Sequence, residues 1–134
     1  MANIGAPLQK SLIDWSTRGA TPVQPAACYA GLAGGTPTSV SFSEIATTLN
    51  YARATCGFAA AVTTAGNVGS ASLATAMTFG TFNASQAVSG IFIADSVSSN
   101  AGTMVWFANL ATARTPLSGD SLVFAVGALN ITLS

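Results

Sequence analysis

Charge is the scarcest property of this chain. Of its 134 residues only 6% are charged, where roughly 25% is usual for a soluble domain. Lys10, Asp14, Arg18, Glu44, Arg53, Asp95, Arg114 and Asp120 carry all of it, and the two signs cancel. Four basic residues scattered along the chain give no basic patch of the kind nucleic-acid binding requires, so no nucleic-acid partner is expected. Histidine is absent altogether. That removes the commonest general base, and with it the Ser-His and Cys-His nucleophile arrangements. Carboxylate pairs could still serve glycoside hydrolysis, and Glu44, Asp95 and Asp120 are the candidates. However, Asp95 and Asp120 fall at turn positions where Asp accepts backbone N–H groups, and Glu44 opens a strand. Neither a Walker-type nor a dinucleotide-binding glycine motif occurs. The expectation is a non-enzyme with no catalytic, cofactor-binding or metal-binding residues and no cofactor.

Long apolar runs are also missing. Gly57–Val62 and Met104–Leu110 fall far short of the ~20 residues a spanning helix needs, so no membrane partner is expected. Lys10 and Asp14 stand where a signal peptide would place its apolar block, which predicts no export by that route. Cysteine is limited to Cys28 and Cys56, with no C-x-x-C spacing, too few ligands for a zinc site. A reducing cytoplasm favours free buried thiols over a Cys28–Cys56 bridge, but the spacing leaves both open.

What is present is apolar and small. Half of the residues are hydrophobic, enough for one core in a single domain spanning 1–134. A chain this poor in charge is not disordered, and as a free monomer it would disperse poorly. Self-association is therefore expected, a homodimer ahead of a homotrimer. Leu8, Leu12 and Trp15 recur at i, i+4 and i+7 and predict a helix over Pro7–Thr17, ended by Arg18-Gly19. With the linker Thr21-Pro22-Val23-Gln24-Pro25 it makes an N-terminal arm, residues 1–25. Residues 26–134 read as strands. These are Cys28–Ala33, one or two within Glu44–Phe58, Ser70–Phe79, Ala87–Ala94, Thr103–Leu110, Leu122–Val126 and Leu129–Leu133. Within Glu44–Phe58, alternation would put Tyr51, Arg53 and Thr55 on one face. The last two strands alternate through Leu122, Phe124, Val126 and Leu129, Ile131, Leu133, so they are expected to pair, with Phe124, Ile131 and Leu133 in the core. Short strands with Gly- and Asp-containing turns predict an all-β antiparallel sandwich of jelly-roll type with a short N-terminal helix. Trp106 and Tyr51 could form a sugar-stacking surface, but Trp106 lies in the apolar run MVWFANL, which favours core packing. Asn83-Ala84-Ser85 and Asn130-Ile131-Thr132 match the glycosylation pattern by chance.

Several segments occur in an order that carries a resemblance. They are Cys28-Tyr29-Ala30-Gly31-Leu32, Asn50-Tyr51-Ala52-Arg53, Ser89-Gly90-Ile91-Phe92-Ile93-Ala94-Asp95, Trp106-Phe107-Ala108-Asn109-Leu110 and the stretch from Ser118-Gly119-Asp120 through Leu133. In this order they resemble phage capsid decoration (cement) proteins of jelly-roll type, similar to those of short-tailed phages infecting Bordetella. Cys28 stands where that family often has Leu, and Asn50 where it has Gly. The resemblance implies a β-sandwich attached to the outside of an icosahedral capsid, with the major capsid protein and itself as partners. It implies no site. A tail-fibre or receptor-binding β-domain of a virion is the alternative.

Overall fold

The computed structural model describes residues 3–22, 25–64 and 68–133. In chain order its elements are β1 (Asn3–Ile4), α1 (Ala6–Arg18), β2 (Tyr29–Ala33), a 3-10 turn (Thr47–Leu49), β3 (Ala54–Thr55), β4 (Val62–Thr64) and β5 (Val68–Ser72). They continue with β6 (Met77–Phe79), β7 (Val88–Ala94), β8 (Met104–Arg114), β9 (Leu122–Phe124) and β10 (Asn130–Leu133). The strands form a five-stranded sheet in the order β1-β8-β7-β2-β3, a three-stranded sheet β10-β5-β4 and a β6-β9 pair. Every strand pairing is antiparallel. The protein is thus mostly β with one short N-terminal helix, as expected.

The five-stranded sheet organises the molecule. Its central strands β2 and β7 are apolar on both sides because both faces are covered, which is why they read as near-continuous hydrophobic runs. Ala30, Leu32, Val88, Ile91 and Ile93 pack with Leu73, Met77, Phe79 and Phe82 in the main core. Ala33, Phe92, Ala94 and Met104 form a second cluster with Phe42 and Phe107. Gly31 makes this two-sided packing possible. A Cβ there would sit 2.2 Å from the Phe92 ring and 2.8 Å from the Tyr51 hydroxyl.

α1 starts one residue before the expected Pro7 and ends at Arg18. Gly19 caps it in the left-handed conformation at φ 68°, and its N–H donates to the Trp15 carbonyl at 3.1 Å. A side chain resists that conformation, so glycine is the natural stop. The N-terminal segment is docked, not projecting. β1 pairs with β8, Asn3 opposite Phe107 and Ile4 opposite Trp106, and the Gly5 and Ala6 N–H groups donate to Val105 and Ser39 carbonyls at 2.8 and 3.1 Å. Leu8 and Leu12 are half-buried, whereas Ile13 and Trp15 stand in solvent, 61% and 58% exposed. The expected Val23-Gln24 part of the linker lies outside the described residues.

Two expectations are corrected. β9 and β10 do not pair with each other. β9 pairs with β6, Phe124 opposite Met77, and β10 pairs with β5, Ile131 opposite Ala71. The turn at Val126–Ala128 passes the chain from one sheet to the next, and the alternation in both strands fixes only a face, not a partner. Accordingly Phe124 is half-buried, edge-on to Phe79 at 5.9 Å, and Leu133 is 49% exposed. The second correction concerns Glu44–Phe58. Its only ladder strand is the two-residue β3. Asn50 takes a left-handed conformation at φ 57° after the 3-10 turn, which breaks the alternation. Tyr51, Arg53 and Cys56 end buried while Thr55 is exposed.

Candidate functional site

Of the eight charged residues, Glu44 and Arg53 have buried side chains and the other six lie wholly or partly at the surface. Lys10 and Arg18 both pair with Asp14 along α1, at 2.6 and 3.7 Å. Asp95 accepts the Thr103 N–H at 2.6 Å and Asp120 the Leu117 N–H at 2.9 Å, the turn roles expected for them. Glu44 and Arg53 form an ion pair with both side chains at 0% exposure.

That pair is the most constrained chemistry in the molecule. Arg53 Nε and Nη2 donate to the two Glu44 carboxylate oxygens at 2.9 and 2.8 Å. Tyr51 Oη donates to Glu44 Oε1 at 2.9 Å and accepts the Leu32 N–H at 2.8 Å. The Asn100 N–H donates to Glu44 Oε2 at 2.6 Å, and Arg53 Nη1 donates to the Ser96 and Ala101 carbonyls at 2.7 and 3.0 Å. The guanidinium carbon lies 4.9 Å from the ring centres of both Phe42 and Phe92, a position that attracts a desolvated cation. Burial by itself pushes the Glu44 carboxyl up. The bonds from Arg53, Asn100 and Tyr51 and the Arg53 charge outweigh it and hold the carboxyl below its usual range. Burial pushes the Tyr51 hydroxyl up. With its donors and acceptors satisfied internally, the cluster ties residues 44–53 to the 96–101 turn and the sheet. It offers no free base to a substrate.

An apolar surface with room for a ligand or partner lies on the main-core face of the same sheet. The Ile93 and Trp106 side chains line one wall of an apolar cleft, and Gly69, Ala71, Ile131 and Leu133 line the other. Phe58 contributes to the cleft where it bridges to Leu73. Two connected lobes, of about 340 and 210 Å³, share Phe58, Ile93, Trp106 and Ile131. Among the described residues, a titratable group reaches it only at Cys28. The cleft can take apolar side chains and provides no acid–base pair. Trp106 belongs here, half-buried in the cleft wall, while Tyr51 is buried against Phe79 with its hydroxyl bonded to Leu32 and Glu44, so the two do not form one stacking surface. Asn83 and Asn50 link loops instead, their amides donating to the Thr48 and Thr81 carbonyls at 2.9 and 2.7 Å. Asn130 bonds locally to Gly127 and Ser72.

Residue-level reading missed the burial of Arg53. Its nearest sequence signal was the Glu44 carboxylate nine positions away, which no local periodicity connects to it.

A family model described as "Podophage GP4 fiber I protein gp80" matches residues 3–132. The chain belongs to that gp80 family. As a family member it is a structural protein of a phage virion, the class the segment resemblance had indicated. No curated protein matches the chain.

Proposed function

We propose that this gp80-family chain is a fibre-type structural subunit of a podophage virion, working in multiple copies and catalysing nothing. The observation that carries this is the fibre-family match over residues 3–132. The surface supports it. Ile13, Trp15, Val62, Leu117, Val123, Val126 and Leu133 all stand more than 48% exposed, and an apolar cleft opens between two sheets. Such surface is costly to leave in water and marks an interaction face. Contact with copies of itself covers it, and repetition in a symmetric assembly raises avidity without a strong single interface.

A second reading is decoration of the capsid exterior, bridging major capsid protein subunits. It is favoured by the ordered resemblance that ends in Ser118-Gly119-Asp120 through Leu133. Immunogold labelling of purified particles with antibodies to this chain separates the two. Gold along fibres is expected; gold spread over the shell establishes decoration instead. Loss of adsorption in particles lacking the protein, with heat stability unchanged, fits the fibre role. Genome release at milder heat fits cementing.

A further inference from the structure

Cys28 and Cys56, well separated in sequence, meet at the base of the segment that folds over the outer face. Tyr29 opposes Thr55 and Ala30 opposes Ala54 in the antiparallel β2–β3 pairing, which puts Cys28 opposite Cys56. The Cys56 N–H donates to the Cys28 carbonyl at 3.0 Å, so one backbone bond joins the two opposed residues. Directly opposed residues place their side chains on one sheet face, with Cα atoms about 5.5 Å apart. Disulfides span Cα separations of about 4.4–6.8 Å. Both side chains pack on the same core. They differ in access: Cys56 is buried, whereas Cys28 is half-buried and lines the apolar cleft.

We propose that Cys28 and Cys56 are a redox pair that closes to an intramolecular disulfide when the protein meets a low-molecular-weight disulfide. The Cys28 thiolate, reached through the cleft, attacks one sulfur of the reagent and expels one thiolate. The Cys56 thiolate then attacks the Cys28 sulfur of the mixed disulfide and expels the second. Two protein thiols lose two protons and two electrons, and the reagent is reduced to two thiols. The ring closed in this way contains Glu44, Tyr51 and Arg53, so the bond ties the segment carrying the buried cluster to the edge of the sheet. Burial pushes the Cys56 thiol up to about 12, and burial followed by the Asp95 charge raises Cys28. Thiolate is therefore scarce near neutrality, and closure is slow there and faster as pH rises. The pair stays reduced in a glutathione-rich cytoplasm and closes after release into an oxidising medium.

The test uses the full folded chain, incubated with oxidised glutathione at mildly alkaline pH and then alkylated. Intact mass is expected to show loss of two hydrogens, with no alkyl group and no retained glutathione. A peptide pair joining Cys28 to Cys56 should disappear on reduction. The melting temperature should rise on the order of 10 °C and fall back with reductant. Cys56→Ala should stop at one glutathione on Cys28. Two alkylated thiols after prolonged oxidation, one glutathione on each cysteine, or disulfide-linked dimers would overturn the proposal, as would a bridged protein that melts lower than the reduced one.

Discussion

The two faces of the five-stranded sheet are closed by opposite means. One is covered by a segment with almost no ladder structure, residues 34–44, held down by the Glu44–Arg53 pair and by Phe42 against Phe92, while Ile45, Leu49 and Tyr51 further along pack into the main core. The other is covered by regular strands, β6-β9 and β10-β5-β4, and these leave an apolar cleft. An irregular segment can seal a face when its polar groups are individually satisfied. A small sheet cannot follow the central sheet's contour everywhere, and a gap remains. In the proposed assembly the sealed face serves stability and the open face takes the neighbouring subunit.

The largest effect should come from breaking the sealed face. Arg53→Ala leaves the Glu44 carboxylate buried without its cation, and loss of one partner of a buried pair costs about 3–5 kcal/mol. Urea unfolding should show a midpoint shift of that size; a loss below about 1 kcal/mol would mean the pair is solvated. Phe79→Ala on the cleft side of the sheet should cost a similar ~3–5 kcal/mol, as for other buried aromatics. Phe124→Ala should cost clearly less, because that ring is only partly buried.

Gly31→Ala should destabilise by about 1–3 kcal/mol, the usual cost of overpacking, since the new methyl meets the Phe92 ring and the Tyr51 hydroxyl. Thermal unfolding of this variant beside Gly127→Ala, whose Cβ would meet nothing within 4 Å, separates crowding from backbone strain. Gly127 has φ 75°, so its cost is conformational alone.

The sealed face should also carry an acid sensitivity. Glu44 has a folded pKa below its unfolded value of about 4.3. The pair's contribution is therefore present above that unfolded value and is lost as pH falls through the folded one. Stability measured from pH 6 down to pH 2 should fall more steeply in the native chain than in Glu44→Gln. Parallel curves would remove Glu44 as the source. Smallest in stability, within about 0.5 kcal/mol, should be Trp15→Ser and Leu133→Ser on exposed positions. Both should nonetheless weaken self-association in sedimentation if these side chains lie between copies.

Local features were legible in the residues. Pro7 and Gly19 bounded the helix, Ala87–Ala94 announced a strand, and Asp95 and Asp120 marked turns. Partner choice was not. β9 and β10 each alternate cleanly, but alternation says which face is apolar and nothing about whether β6, β5 or each other lies alongside. The Arg53 burial was hidden because charged residues normally stay exposed. The folded turn at Ser96–Ala101 and the two Phe rings, together with the Glu44 carboxylate, make the site hospitable. The cleft was hidden for the same reason. Phe58, Trp106 and Ile131 come from three distant segments, and each alone reads as ordinary core.

Hydrogen exchange on intact virions against the free protein tests the difference between the two faces most directly. Assembly through the open face predicts added protection at β10 (Asn130–Leu133) and along the cleft strand β8, with residues 34–44 exchanging as in the free chain. Unchanged exchange at β10 and β8, with new protection over residues 34–44 and 95–102, would contradict the account and place the contact on the sealed face.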